Sequence, residues 1–152
     1  MTLTPGDAAP DFDLPDQHET QVSLASLRGR KVLIYFYPRA DTPGCTTQAC
    51  GLNDILGDIG DTVVLGVSPD KPSKQLTFAE KYHLGFPLLS DPEHVTAEAF
   101  GVWKEKSMYG RKYFGVERST FLIDRDGKIA KIWRKVKVPG HAEEALKAAR
   151  AL

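Results

Sequence analysis

The chain has 152 residues and a mass of 16.8 kDa, a length that suits one compact domain with its own hydrophobic core. Hydrophobic residues make up 41% and charged residues 26%, which is a globular rather than a disordered composition. The 20 Lys and Arg residues balance the 20 Asp and Glu residues, and this argues against a dedicated binder of nucleic acid or membrane surfaces. No apolar run approaches the length of a membrane span.

Cysteine usage bears on the compartment. Two cysteines, Cys45 and Cys50, are too few for the disulfide framework of a secreted domain. The segment from Met1 to Asp7 lacks the basic and apolar regions of a secretory signal. We therefore expect a cytoplasmic protein with reduced thiols, in which the cysteines take part in a reaction rather than in structural disulfides.

The N-terminal part of the sequence predicts a β-hairpin and then a buried strand. Segment 9–24 alternates apolar and polar residues around prolines, and one helical turn is expected from Leu24 to Leu27. The run from Lys31 to Tyr37 is short, β-branched and aromatic, and Pro38 ends it. Such a run is typical of a strand that is buried on both faces.

A turn-rich segment follows and predicts a helix from about Pro43 to Leu56. Thr42 suits the N-cap position, and Pro43 suits the first helical position. The apolar face of this helix would consist of Ala49, Leu52, Ile55 and Leu56.

The remaining sequence alternates predicted strands and helices. Residues 101–117 are expected to be irregular, and Asp126-Gly127 predicts a tight hairpin turn. The order indicates an α/β protein with a single thioredoxin-like domain over 1–152, in which helices cover both faces of a central mixed β-sheet. The other predicted elements are strands at 62–67, 87–89, 119–123 and 128–133, and helices at 73–84, 92–100 and 141–152.

The position of Cys45 favours a reactive thiolate. In the first turn of the predicted helix, free N–H groups and the positive end of the helix dipole stabilise negative charge. Lowering the pKa of a thiol by two units requires about 2.7 kcal/mol, and a helix terminus typically contributes about 0.3–1 kcal/mol. A cation or further hydrogen bonds must supply the remaining stabilisation of the thiolate. We expect an arginine to fold back to the site and the Thr42 hydroxyl to donate a hydrogen bond there.

The spacing of Cys45 and Cys50 restricts how they react with each other. On an ideal helix their Cα atoms would lie about 8.6 Å apart, beyond the ~7 Å that a disulfide bridges without backbone movement. A disulfide between them therefore requires the first turns of the helix to unwind. Gly44 and Gly51 flank this segment and lower the cost, since glycine within a helix is about 1 kcal/mol worse than alanine.

Other interpretations of these residues remain open from spacing alone. Two cysteines on one helix are often buried small apolar residues, and the four residues between them differ from the Cys-x-x-Cys motif of dithiol oxidoreductases. The basic and aromatic segment 103–114 weakly suggests a platform for single-stranded nucleic acid, an interpretation that the balanced charge disfavours. A zinc site would need ligands from histidines that form no typical ligand pair: His18, His83, His94 and His141.

A family resemblance goes further than spacing. The pattern Pro38-x-x-x-Thr42-x-x-Cys45 resembles the active-site signature of the peroxiredoxins, and the Cys45–Cys50 spacing is similar to that of the Q type, the bacterioferritin comigratory protein subfamily. The segment Gly51-Leu52-Asn53 departs from the expected pattern, in which aromatic and basic residues are more usual. Segments similar to the family cover nearly the whole chain, at 9–12, 65–70, 88–92, 100–103, 117–124 and 135–141.

The resemblance implies a thiol peroxidase that reduces hydrogen peroxide and organic hydroperoxides in antioxidant defence, without a metal or organic cofactor. Cys45 would be the peroxidatic thiolate that becomes a sulfenic acid, and Cys50 would resolve it as an intramolecular disulfide. Thioredoxin or a similar dithiol protein would reduce the disulfide, and the enzyme would be a monomer. Thr42 and Arg118 would complete the catalytic set, in a pocket that also includes Pro38, Gly44 and Gln48.

Two other functions fit the same cysteines. One is a thioredoxin-fold thiol-disulfide oxidoreductase that acts on protein disulfides. The other is a binding domain whose thiols are inert. Peroxide consumption by single-cysteine variants separates the three hypotheses, because only the peroxidase needs Cys45 to react with peroxide.

Overall fold

The computed structural model describes residues 2–152 and contains the elements that the sequence predicts, together with one more hairpin. Its strands are β1 (Asp13–Pro15), β2 (Gln21–Ser23), β3 (Val32–Phe36), β4 (Val63–Ser68), β5 (Leu88–Ser90), β6 (Trp103–Met108), β7 (Arg111–Val116), β8 (Ser119–Ile123) and β9 (Ile129–Trp133). Its α-helices are α1 (Pro43–Asp54), α2 (Pro72–Tyr82), α3 (Val95–Ala99) and α4 (His141–Ala151), and a 3₁₀ turn covers Ala25–Leu27.

Within these residues, the central sheet has five strands in the order β5-β4-β3-β8-β9. The pairs β3–β4 and β4–β5 are parallel, whereas β3–β8 and β8–β9 are antiparallel. Strand β3 lies in the middle, and all five of its residues are buried. The predicted mixed sheet with a strand buried on both faces is therefore confirmed.

The alternation of side chains along β3 divides the core into two layers. Leu33 and Tyr35 point to the face that α1, α2 and α4 cover. Ile34 and Phe36 point to the opposite face, where the N-terminal hairpin, α3 and the start of β6 pack. Because both faces are covered, the end of β3, which leads to the start of α1, is held in the core.

The predicted hairpins at the N-terminus and around Asp126-Gly127 are confirmed. Strands β1 and β2 pair antiparallel, and the one-turn helix follows them directly. Gly127 has a φ of +81°, which is the left-handed conformation that the turn between β8 and β9 requires.

The prediction that residues 101–117 are irregular is wrong. Strands β6 and β7 form a separate antiparallel hairpin with Trp103 opposite Val116. Tyr109 and Gly110, with φ values of +53° and +77°, form a two-residue turn of the primed type that suits the twist of a hairpin. Most residues of both strands are exposed, so the sequence lacks the apolar alternation from which strands are predicted. The hairpin is anchored at its base, where the Trp103 ring stacks on His94 with ring centroids 4.0 Å apart.

Among the described residues, no helix is both long and apolar enough to cross a membrane.

Candidate active site

The start of α1 follows from its local sequence. Thr42 is the N-cap in an extended conformation, and Pro43 occupies the first turn, both as predicted. The first hydrogen bond of the helix runs from the Thr46 N–H to the Thr42 carbonyl oxygen at 2.8 Å. The N–H groups of Gly44 and Cys45 therefore lie before the first helical hydrogen bond, and they can donate to a negatively charged group.

Cys45 is the third residue of α1, and only 1% of its surface is exposed. It packs in the core layer that includes Tyr35, Tyr37 and Ala49. Both cysteines are free thiols. The predicted place of Cys45 in the first helical turn is thus confirmed. The residue lies just after the loop that connects β3 to α1.

Arg118 supplies the cation that the sequence led us to expect. It lies between β7 and β8, next to the central strand, and its Nη2 donates a hydrogen bond to the Sγ of Cys45 at 3.3 Å. Its Nη1 donates to the Oε1 of Gln48 at 2.6 Å. The guanidinium therefore joins two residues on successive turns of α1, and it places a fixed positive charge beside the sulfur.

Gly44 makes room for this guanidinium. A Cβ atom at position 44 would lie 3.1 Å from the Nη2 of Arg118, closer than an ordinary van der Waals contact. Gln48 is buried with 3% exposure, and its Nε2 atom finds no hydrogen-bond partner among residues 2–152. Both predicted pocket residues thus lie against Arg118.

The contact predicted for Thr42 is not made in this structure. Its hydroxyl donates to the carbonyl oxygen of Arg39 at 2.9 Å, so its single proton is not directed to Cys45. It also makes no side-chain cap bond to the helix. The carbonyl oxygen of Arg39, three residues earlier in the chain, accepts the hydroxyl proton instead. Pro38 is half-buried and lies two residues after the end of β3, at the start of the same loop.

Cys50 lies five residues further along α1 and is half-buried. Burial raises the pKa of its thiol, and the nearby carboxylate of Asp54 raises it further. Cys50 therefore rests as a neutral thiol. This suits a resolving role, because such a thiol does not compete with Cys45 for peroxide.

The loop before α1 is held by two anchors that no pattern in the sequence indicates. Asp70 accepts hydrogen bonds from the Ala40 N–H at 2.7 Å and from the Ser68 hydroxyl at 2.7 Å. Asp41, in the left-handed region at a φ of +59°, accepts from the Lys81 ammonium at 3.0 Å and the Tyr82 hydroxyl at 2.8 Å. The segment 65–70 resembles the family, but the contact of its Asp70 with Ala40 depends on the tertiary fold.

Comparisons with known proteins agree with this geometry. Residues 5–132 match the model of the AhpC/TSA family. Peroxiredoxin Bcp of Bacillus subtilis is 49% identical over 148 residues, which cover 96% of this chain and 94% of that protein. Peroxiredoxin Bcp of Escherichia coli is 51% identical over 146 residues, which cover 95% and 94% of the two chains.

Solved structures show the same fold. The bacterioferritin comigratory protein of Xanthomonas campestris, studied for alkyl peroxide reduction, superposes with a TM-score of 0.88 at 42% identity, over 92% of this chain and 90% of that one. PrxQ of Xylella fastidiosa, as a Cys-to-Ser variant, gives a TM-score of 0.93 at 37% identity, over 99% and 98% of the two chains. These superpositions confirm the predicted thioredoxin-like fold. The chain therefore belongs to the AhpC/TSA family and is a peroxiredoxin of the Bcp or Q type, a thiol-dependent peroxidase.

Proposed function

We propose that Cys45 is the peroxidatic residue of this peroxidase. The contact of Arg118 Nη2 with the Cys45 sulfur, at 3.3 Å, is the observation that carries the proposal. The Cys45 thiolate attacks one oxygen of the hydroperoxide in line with the O–O bond. The sulfur–oxygen bond forms as the O–O bond breaks, and the departing oxygen takes up a proton. The products are a cysteine sulfenic acid and water or an alcohol.

The other predicted site residues serve this step in distinct ways. Arg118 holds the thiolate and stabilises the negative charge that develops on the departing oxygen. Gln48 fixes the guanidinium through its Oε1, and Gly44 allows the close approach. The Thr42 hydroxyl donates its proton to the carbonyl oxygen of Arg39. The lone pairs of the Thr42 oxygen therefore remain free to accept a hydrogen bond from a peroxide O–H group. Pro38 shields the entrance.

We infer that Cys50 then resolves the sulfenic acid. Cys50 loses its proton and its thiolate attacks the sulfenic sulfur. The disulfide forms as the S–O bond breaks, and the departing hydroxide takes up a proton to become water. On an intact helix the two Cα atoms are about 8.6 Å apart, so the first turns of α1 must open. The helix start favours opening because Thr42 makes no side-chain cap bond and Gln48 Nε2 is buried without a partner. An unpartnered buried polar group costs about 1–3 kcal/mol, and opening the helix relieves this cost.

A dithiol protein of the thioredoxin type completes the cycle by thiol-disulfide exchange. It attacks the Cys45–Cys50 disulfide, is itself oxidised, and returns both cysteines to thiols. This cycle requires a reducing compartment, which supports the cytoplasm as the setting. The substrates are hydrogen peroxide and organic hydroperoxides, as for the Xanthomonas relative studied with alkyl peroxides. A monomer suffices, because both cysteines lie on one helix.

The alternative function, attack on protein disulfides, fits the resting site less well. Only 1% of the Cys45 surface is exposed, which suits a small peroxide better than the disulfide of a folded protein. Disulfide exchange at Cys45 would require α1 to open before the reaction starts. Peroxide reduction requires opening only afterwards.

Single-cysteine variants test the proposal. Cys50→Ser should consume about one equivalent of peroxide and leave a sulfenic acid that dimedone traps. Cys45→Ser should consume essentially none. Equal turnover by both variants, or faster reduction of insulin disulfides than of peroxide by the wild type, would contradict the proposed roles.

A further inference from the structure

Lys106 on β6 is a cation whose side chain follows the hairpin toward Arg118, and the reaction described above does not use it. It lies opposite Tyr113 in the hairpin and is half-buried, while its neighbours Glu105 and Ser107 are exposed. Its aliphatic stem crosses Gly115, where Cδ and Cε lie 3.5 and 3.7 Å from the position that a Cβ of residue 115 would take. The stem therefore leaves the outer hairpin and runs along β7 toward Arg118.

The electrostatic surroundings of Lys106 agree with this path. Burial lowers the pKa of its ammonium, the Arg118 guanidinium lowers it further, and Glu117 and Cys45 act in the opposite direction. Together with the path of the stem over Gly115, these interactions place the Lys106 ammonium on the side of the hairpin that leads to Arg118. Glu117 offsets the repulsion between Lys106 and Arg118 only in part, because the effect of Arg118 is the larger, so binding of a further anion is favoured.

Lys106 differs from the neighbouring lysine of the hairpin. Lys112 is paired with Glu105 at 3.7 Å and is largely exposed. Within residues 2–152, the ion pairs join other side chains, and Lys106 takes part in none of them. Its ammonium is thus available to a ligand that enters the site from solvent.

The same face of the hairpin carries apolar surface. Tyr113 is directly opposite Lys106, and Met108 is two residues further along β6 on the same face. Their exposed fractions are 42% and 56%. A ligand with a short aliphatic part and one negative charge would find apolar contacts next to an unpaired ammonium.

We propose that Lys106 is a specificity-determining residue, which selects hydroperoxides that carry a carboxylate a short aliphatic chain away from the peroxide group. The peroxide reaches Cys45, and the carboxylate pairs with the Lys106 ammonium beside Arg118. The proposal rests on the role of Cys45 stated above and adds the class of substrate. It introduces no new chemical step, since the O–O bond breaks as before and the carboxylate only binds.

The test compares two matched probes, a short-chain hydroperoxy acid and its methyl ester, with tert-butyl hydroperoxide as a neutral reference. For the wild type we expect a higher kcat/KM for the acid than for the ester. In Lys106→Met the acid-to-ester ratio should fall about fivefold, the size expected for a partly exposed charge pair. The fall should appear in the KM of the acid rather than in kcat, while the ester and the reference peroxide should change by the same factor as each other. The wild-type ratio should also decline with ionic strength.

Three further variants sharpen the test. Lys112→Met removes the same charge from the same hairpin and should leave the ratio unchanged. Lys106→Arg should restore most of the preference. Glu117→Gln should increase the preference, because it removes a carboxylate that opposes the ligand.

The outcomes separate this inference from the proposed function. Equal kcat/KM for acid and ester in the wild type, or an equal loss for both probes in Lys106→Met, would overturn the specificity role and leave the peroxidase intact. If the wild type reduces no hydroperoxide, the proposed function fails and this inference fails with it.

Discussion

Arg118 and Cys45 are 73 positions apart in the sequence, yet the guanidinium Nη2 donates to the thiol sulfur at 3.3 Å. The contact exists because β8, which begins directly after Arg118, pairs antiparallel with β3, which leads into α1. Ser119 lies opposite Phe36 in this pairing, so the residue before β8 meets the loop that follows β3. This pairing places the sulfur and its cation together, at the end of the central sheet where β3 ends and β8 begins.

Removal of the Arg118 guanidinium should impair peroxide reduction more than stability. We expect Arg118→Met, in a Cys50→Ser background, to lower the second-order rate of sulfenic acid formation about a hundredfold, as for the loss of one donor to a developing anion. Arg118→Lys should be intermediate, because it keeps the charge but not the planar fork. Stopped-flow peroxide consumption measures both rates. Arg125→Met is the matched control, since that arginine pairs with Asp61 at an exposed site, and a similar loss there would contradict a specific role for Arg118.

A methyl group at position 44 should separate activity from stability. The Cβ of Gly44→Ala would meet the Arg118 Nη2 at 3.1 Å, so the guanidinium must shift away from Cys45. We expect slower peroxide reduction with little loss in the free energy of unfolding, because alanine favours a helix over glycine by about 1 kcal/mol. Peroxide kinetics and urea denaturation of the same variant check the two parts. Unchanged kinetics would show that the close approach of Arg118 is dispensable.

Gly51→Ala should act on the second step instead. Its Cβ would lie 3.5 Å from the Ala142 Cβ, an ordinary van der Waals contact. The substitution therefore stabilises α1 by about 1 kcal/mol and should slow the formation of the Cys45–Cys50 disulfide about fivefold if opening of the helix limits that step. Sulfenic acid formation should be unaffected. Rapid-quench mass spectrometry separates the two species, and a disulfide rate equal to that of the wild type would show that opening is not limiting.

The contrast between α1 and the β6–β7 hairpin shows which features the sequence predicts. Thr42 and Pro43 define the start of α1 locally, and the buried run of β3 is recognisable from its composition alone. The hairpin is not recognisable, because its strands are exposed and pair only with each other.

The site shows the same division between local and tertiary information. The family resemblance indicates Arg118, but not its hydrogen bond with Gln48. Which acceptor takes the Thr42 hydroxyl depends on how the loop folds back on Arg39, and the anchoring of Ala40 by Asp70 depends on strands far apart in the sequence. The contacts of Gln48 and Ala40 are tertiary, so no local pattern encodes them, whereas the Thr42–Arg39 bond is local and depends on the conformation of the loop.

Replacement of Asp54 should change the pH dependence of disulfide formation. Burial and Asp54 both hold the pKa of Cys50 above its usual value, so the thiol loses its proton only at alkaline pH. Because the thiolate is the attacking species, the rate of disulfide formation should rise as the pH approaches this pKa. In Asp54→Asn the rise should begin at lower pH. The rate is measured across pH after a peroxide pulse, with Asp58→Asn as the control, and coincident profiles would contradict this role of Asp54.

Protonation of His141 should weaken the fold in mild acid. Burial lowers the pKa of His141, the Arg118 charge lowers it further, and Glu144 opposes them. The ring is buried next to Thr120, with Nε2 2.8 Å from the Thr120 Oγ1. In the unfolded chain the imidazole binds a proton near its ordinary pKa of about 6.5, whereas the folded state binds it only at lower pH. The contribution to stability is therefore complete above about pH 6.5 and is lost as the pH falls toward the folded pKa.

Urea denaturation at about pH 7.5 and about pH 5.5 should show a larger loss for the wild type than for His141→Gln, while His18→Gln, at an exposed position, should match the wild type. An equal loss in all three proteins would mean that carboxylates, rather than His141, determine the acid sensitivity.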